Sequence, residues 1–271
     1  MYTVYKDIHS IHTEQNYLNI DKYNFQSEAK LLRTLLKDAW WITKRDLKSE
    51  KLLIVITLVF MAYQALMISL LIDEQLQMQS KSSVILDILL LAYIPILGFF
   101  FSKRSIKCLT EDSYTQLLIY LRTLPISPKV IMMSRLITMF IALMLNSVIF
   151  FSVMYGVNPH LRIEMTIGIY LCFILTWIGY AMIISGLYIY FEFLFSGKQY
   201  LWLVLLLMGI TCVIGIMIRI MGGNLLLYTI RMSQEWGILS PMMWTSLIGG
   251  MLSLAISSKL TNQKLQSRDL V

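Results

Sequence analysis

Residues 165–195 read MTIGIYLCFILTWIGYAMIISGLYIYFEFLF, 31 positions with one charged side chain, Glu192. A helix crossing the roughly 30 Å of bilayer hydrocarbon needs about 20 apolar residues. Two spans would need about 40, so this block is one helix that tilts or protrudes past the bilayer. Apolar residues do not alternate with polar ones, which excludes a barrel strand. In lipid only helices and closed barrels satisfy their own backbone groups. The block therefore decides the class: an all-α polytopic membrane protein.

The rest of the chain supports that class. Hydrophobic residues make up 57% of the 271 and charged residues 14%, against about 25% charged in a soluble domain. That is too little charge to coat a water-facing surface. Working outward from 165–195, six spans are expected, at about 52–72, 84–101, 136–154, 167–191, 200–218 and 242–256. Together they make a transmembrane domain over 52–256, preceded by a cytoplasmic tail, 1–27, and followed by another, 257–271. Asn158-Pro159 is a turn signal between spans three and four. The segment 219–241 is half apolar and is interrupted by Gly222-Gly223, Arg231, Gln234 and Glu235. It reads as one or two short helices at the outer surface.

Residues 28–51 form a different kind of helix. Leu31, Leu32, Leu35, Leu36, Ala39 and Trp40 recur at helical spacing, beside Lys30, Arg33, Lys37, Lys44, Arg45 and Lys48. A basic amphipathic helix of this kind lies in the headgroup layer. Trp40, Trp41, Lys44 and Arg45 are its interfacial anchors. No amino-terminal apolar region has signal-peptide form, so the first span is expected to act as the insertion signal.

Orientation follows from the basic residues. With the amino terminus inside, the cytoplasmic parts hold 19 of the 23 Lys and Arg, leaving Lys81, Arg162, Arg219 and Arg231 outside. The inverse topology contradicts the positive-inside rule. Both termini are expected in the cytoplasm, and the chain in the cell membrane. The net charge of +7 is spread along span ends, where it meets anionic headgroups. It does not indicate a nucleic-acid partner.

Little in the chain points to catalysis. No His lies in a span, and there is no H-E-x-x-H, G-x-S-x-G or carboxylate cluster. Cys108, Cys172 and Cys212 are far apart and indicate neither a disulfide framework nor a metal site. Gly197-Lys198 is followed by Gln199 and lacks the upstream glycine of a phosphate-binding loop, so this chain has no ATP site of its own. Asp87 reads as interfacial and Glu192 as a snorkelling or helix-pairing residue. Gly249 and Ser253 on the sixth span, and Gly179 and Gly186 on the fourth, allow close helix packing. Asn146 is expected to hydrogen-bond a neighbouring helix.

The most informative polar stretch is 102–135. After Leu109-Thr110, Glu111 and Asp112 sit at the start of a short amphipathic helix, where carboxylates oppose the positive helix end. Leu117, Leu118, Leu121 and Leu124 form its apolar face, Pro125 ends it, and Ser127-Pro128 opens the next helix. Such a face needs a protein groove or the membrane to cover it.

The basic helix, this acidic-start helix with Leu-Arg-Thr-Leu-Pro-Ile-Ser-Pro at 121–128, and the partly apolar segment before span six occur in this order. In that combination the chain resembles the permease subunits of the type-2 ABC exporter family, from about residue 28 to 260. The resemblance implies that 102–135 carries the coupling helix, seated in a cleft of a separate ATPase subunit. The matching positions are Glu111, Asp112, Ser113, Tyr114, Arg122, Leu124, Pro125, Ile126 and Ser127. The family often has Glu followed closely by Gly-Thr, whereas here Asp112-Ser113-Tyr114-Thr115 follows Glu111.

It further implies a second permease subunit, like or unlike, and ATP with magnesium bound by the partner alone. The cargo would be a lipid, glycan, peptide, antibiotic or ion, with 219–241 gating the exit. A non-transporting immunity or sensor protein of the same build is the alternative.

Overall fold

A computed structural model describes residues 30–78, 84–103 and 126–267. All regular structure among the described residues is helical. α1 covers residues 30–49, α2 Lys51–Met78, α3 Val84–Tyr93, α4 Pro128–Val157 and α5 Pro159–Glu164. α6 covers Ile167–Leu194, α7 Gly197–Ile220, α8 Leu225–Trp236 and α9 Pro241–Ser267.

Four helices, α2, α4, α6 and α7, are long and apolar enough to cross a membrane. A fifth candidate is the pair Leu225–Leu239 and Pro241–Lys264, bent by 84°. Several long apolar helices are the build of a membrane protein. The block at 165–195 is one helix of 28 residues.

Residues 84–101 differ from the expected continuous span. α3 stops at Tyr93, Ile94–Gly98 is a 3₁₀ segment, and residues 99–102 are not helical. Pro95 is the physical reason. It has no N–H to offer the carbonyl of Leu91 four residues earlier, and its ring clashes with that carbonyl in an α-helix. The orphaned Leu91 carbonyl accepts instead from the Tyr180 hydroxyl on α6, at 2.9 Å. Ten α-helical and five 3₁₀ residues span only roughly 25 Å at about 1.5 and 2.0 Å per residue.

α6 and α9 form the tightest pair. A Cβ on Gly179 would lie 2.5 Å from the backbone carbon of Ser246, and one on Gly250 would lie 2.8 Å from the Gly179 carbonyl oxygen. Farther along, a Cβ on Gly186 would lie 2.7 Å from the hydroxyl oxygen of Ser253, which donates to the Ile183 carbonyl at 2.9 Å. The close approach was expected at Gly249, but Gly250 makes it. Gly249 faces the Ile183 side chain at 3.4 Å. One residue is about 100° of helix rotation, so the crossing of the two helices selects which glycine meets backbone.

α2 and α4 are joined along their length by Met61, Ala65, Ile68, Leu143, Phe150 and Met154 in the main core. At the end where α2 and α4 meet α5, Asn158 accepts from Leu161 N–H at 2.8 Å and donates to the Ser69 carbonyl at 3.0 Å. His160 Nδ1 lies 2.6 Å from Asp73.

Asp87 is at this same end, and it is buried within the chain rather than water-facing, at 1% exposure. Its carboxylate accepts from Leu225 N–H at 3.1 Å and Leu226 N–H at 3.0 Å. These are the first donors of α8, which have no partner inside the helix and favour a negative charge. α8 exists where short outer helices were expected.

α1 packs on the other end of α4. Ala39, Ile42 and Val130 are buried together, with Leu35, Ile126, Met133 and Ile137 against them. The Thr43 hydroxyl donates to the Ser134 carbonyl at 3.1 Å. Leu31, Leu32, Leu36, Trp40 and Trp41 remain exposed, so the helix has one protein-facing stripe and one free apolar face. Lys129, Lys198 and Lys259 mark this end of the bundle, called the basic end below.

Candidate functional site

The break after α3 leaves backbone groups without helical partners in the interior of the bundle. In a bilayer each unsatisfied group costs several kcal/mol, so irregular backbone persists only where protein or a water-filled cavity surrounds it. Here the side chains of three helices satisfy it. Asn146 on α4 is fully buried, and its amide donates to the Leu97 carbonyl at 2.9 Å and the Phe99 carbonyl at 3.0 Å. Phe99 N–H closes the 3₁₀ segment on Ile96 O at 3.0 Å. Phe101 N–H donates to the Thr57 hydroxyl on α2 at 2.9 Å, and that hydroxyl donates to the Leu53 carbonyl at 2.8 Å. Tyr180 takes the Leu91 carbonyl, as described above.

Gly98 lets this backbone press on α6. A Cβ there would collide with the Ser185 hydroxyl. Asn146 Oδ1, Ser147 Oγ and Ser185 Oγ are buried and have no hydrogen-bond partner among the described residues. Polar capacity is thus left over beside the break.

Toward the basic end lies an ion pair between a buried carboxylate and a partly exposed guanidinium. Arg135 on α4 donates to Glu192 on α6 through Nε at 2.8 Å and a terminal nitrogen at 2.7 Å. The Arg135 guanidinium also sits 5.3 Å from the centre of the Phe99 ring, within cation–π range. The Phe99 ring in turn contacts Tyr188 on α6, with centroids 5.5 Å apart. Phe99 is therefore held at its carbonyl by Asn146 and at its ring by Arg135 and Tyr188. The chain leaves Phe99 directly toward residue 102, where the polar stretch 102–135 begins.

Several expected site residues lie outside the described residues: Glu111, Asp112, Ser113, Tyr114, Arg122, Leu124 and Pro125. Ile126 lies against the α1–α4 cluster and Ser127 directly precedes α4. Of the interfacial residues, Trp41 is 66% exposed, with Arg45 6.0 Å over its ring, and Lys44 is exposed. Gly179, Gly186 and Ser253 lie in the α6–α9 seam within one chain. No group of three His, Cys, Asp or Glu able to hold a metal ion occurs among the described residues.

Four parts of the site were not singled out from sequence: Pro95, Thr57, Tyr180 and the partner of Glu192. Pro95 carried a readable signal, because proline inside an apolar helix marks a kink or an end. Thr57, Tyr180 and Arg135 carried none, since their partners are 44, 89 and 57 positions away. Comparisons with protein-family models, curated proteins and solved structures gave no match for the chain.

Proposed function

We propose that the chain is the permease subunit of an ATP-driven exporter, with ATP and magnesium held by a separate ATPase subunit. The observation that carries the reading is the position of Phe99 and of residues 126–135 around the segment between them. One end of that segment leaves the irregular backbone next to the Arg135–Glu192 pair. The other end meets the α1–α4 cluster at Ile126. A push on the segment from a cytoplasmic partner would act on α4 and α6 at once, through Phe99, Asn146 and Arg135. Broken helices whose freed backbone is held by neighbouring helices are a recurring feature of transporters.

In this reading the spans number six. Residues 84–98 with the non-helical 99–102, which start extended at Phe99, form the second. α9 forms the sixth. Both termini are cytoplasmic, the basic end faces the cytosol, and the 102–135 segment carries the coupling helix. A second permease subunit completes the path, and α8 with Asp87 closes its outer side. The chain does no chemistry of its own.

Copurification of the full-length chain from native membranes tests this. An ATPase subunit is expected in the complex, and Glu111→Lys with Asp112→Lys should weaken its retention at least about tenfold, as opposed charges at a contact do. A complex that keeps its ATPase stimulation in this variant would overturn the coupling assignment. Function without any nucleotide-binding partner would replace the exporter by the immunity or sensor alternative.

A further inference from the structure

A groove opens on the side of the bundle between α4, α6 and α9. Leu136, Phe140, Met182, Met251, Leu254 and Ala255 line it, and Ser258 and Lys259 stand at one end. From Met251 to Lys259 is eight residues of helix, about 12 Å. The lining is apolar except at the end marked by Lys259, which is the basic end. Lys259 is exposed and has no ion-pair or hydrogen-bond partner among the described residues. Lys129 is exposed too, and lies seven residues before Leu136 on the same face of α4. Among the described residues the groove is thus apolar along α4, α6 and α9, with Lys259 at its basic-end mouth.

We propose that this groove binds an anionic glycerophospholipid of the leaflet at the basic end. One acyl chain lies along Phe140, Met182 and Met251, and the phosphate meets Lys259, Ser258 and Lys129. Basic pockets between transmembrane helices bind anionic headgroups for this reason. The two methionines suit a flexible chain, because their side chains adapt to irregular surfaces. A second copy of this protein fits less well. A two-fold interface places the same patch on both sides, bringing Lys129 and Lys259 against each other's like charges. The proposal depends on the membrane reading and not on the exporter assignment, so it survives a failed copurification.

The test is lipid binding to the full-length protein in mild detergent, followed by native mass spectrometry. Phosphatidylglycerol and phosphatidylcholine with identical acyl chains are the probes. Phosphatidylglycerol is expected to bind roughly tenfold tighter. Lys129→Gln with Lys259→Gln should abolish the preference and leave phosphatidylcholine binding unchanged, while Lys198→Gln, at the same end but outside the groove, should keep it. Ala255 is exposed in the groove, so Ala255→Phe fills the groove without entering the core and should weaken both lipids. Equal affinity of the two lipids for the unaltered protein would overturn the proposal. So would a preference that persists in the double lysine variant, or a dimer that Ala255→Phe dissociates.

Discussion

α6 and α7 are consecutive in the chain, joined by two residues, and they treat their surroundings in opposite ways. α7 is the more apolar, with mean hydropathy 2.7 against 2.1, yet 11% of its apolar window is buried within the chain against 50% for α6. In water that order would be reversed, because apolar surface drives burial there. In lipid the tails are as apolar as leucine, so hydrophobicity no longer selects a partner. Close backbone approach and hydrogen bonds do. α6 has Gly179, Gly186 and Ser185 on its packed faces, Tyr180 reaching α3 and Glu192 reaching α4. α7 buries only Gly197, Thr211 and Gly215 and leaves Trp202, Leu206, Val213 and Met217 exposed. What holds a helix here is its small and polar residues.

The contrast can be broken most directly at the ion pair. Arg135→Met alone should cost about 3 kcal/mol, the low end for a buried pair, since Glu192 is left buried without its cation but Arg135 itself is partly exposed. Arg135→Met combined with Glu192→Met should regain most of that loss. Thermal unfolding of the full-length protein in nanodiscs reads both, and a single variant as stable as the unaltered protein would remove the pair from the account.

Next in size is Gly179→Leu, whose side chain has to displace the α9 backbone at Ser246 and Leu247. About 3 kcal/mol is expected, the upper part of the overpacking range, seen as a lowered unfolding temperature and loss of a monodisperse species. Asn146→Leu should cost about 2 kcal/mol, because two buried carbonyls lose their donor. Faster amide exchange at residues 97–101 than in α6 would locate that effect at the break. Gly209→Leu on α7 should change stability by less than about 0.5 kcal/mol, as nothing lies within 4 Å of a Cβ there. A large loss at Gly209 would erase the distinction between the two helices, and a near-zero one would sharpen it.

Much of the helix inventory was legible in advance because length and apolarity are local. The single long helix at 165–195, the basic helix before α2 and the short helices after α7 all follow from composition and spacing. The break at Pro95 was legible too, but an apolar block of spanning length hid it. The seam was half legible. Small residues on both helices were visible, whereas the choice of Gly250 over Gly249 depends on a rotation of about 100° that no spacing rule supplies. The interfacial reading of Asp87 missed its burial for a similar reason, since its partners, the amides of Leu225 and Leu226, are 138 and 139 residues away.

The residues of this chain by themselves determined that it is all helical and apolar enough for a membrane, which of its segments are amphipathic, and which end carries the positive charge. Those properties depend on neighbours within a turn or on the length of a block, and a bilayer reads them segment by segment. Only the tertiary structure decided that 165–195 is a packing centre while 197–220 stays at the rim. It alone brought Asn146, Thr57 and Tyr180 to the backbone that Pro95 frees, and paired Arg135 with Glu192. In lipid these contacts come from matching small surfaces and polar atoms across distant helices, and hydropathy carries no record of that match.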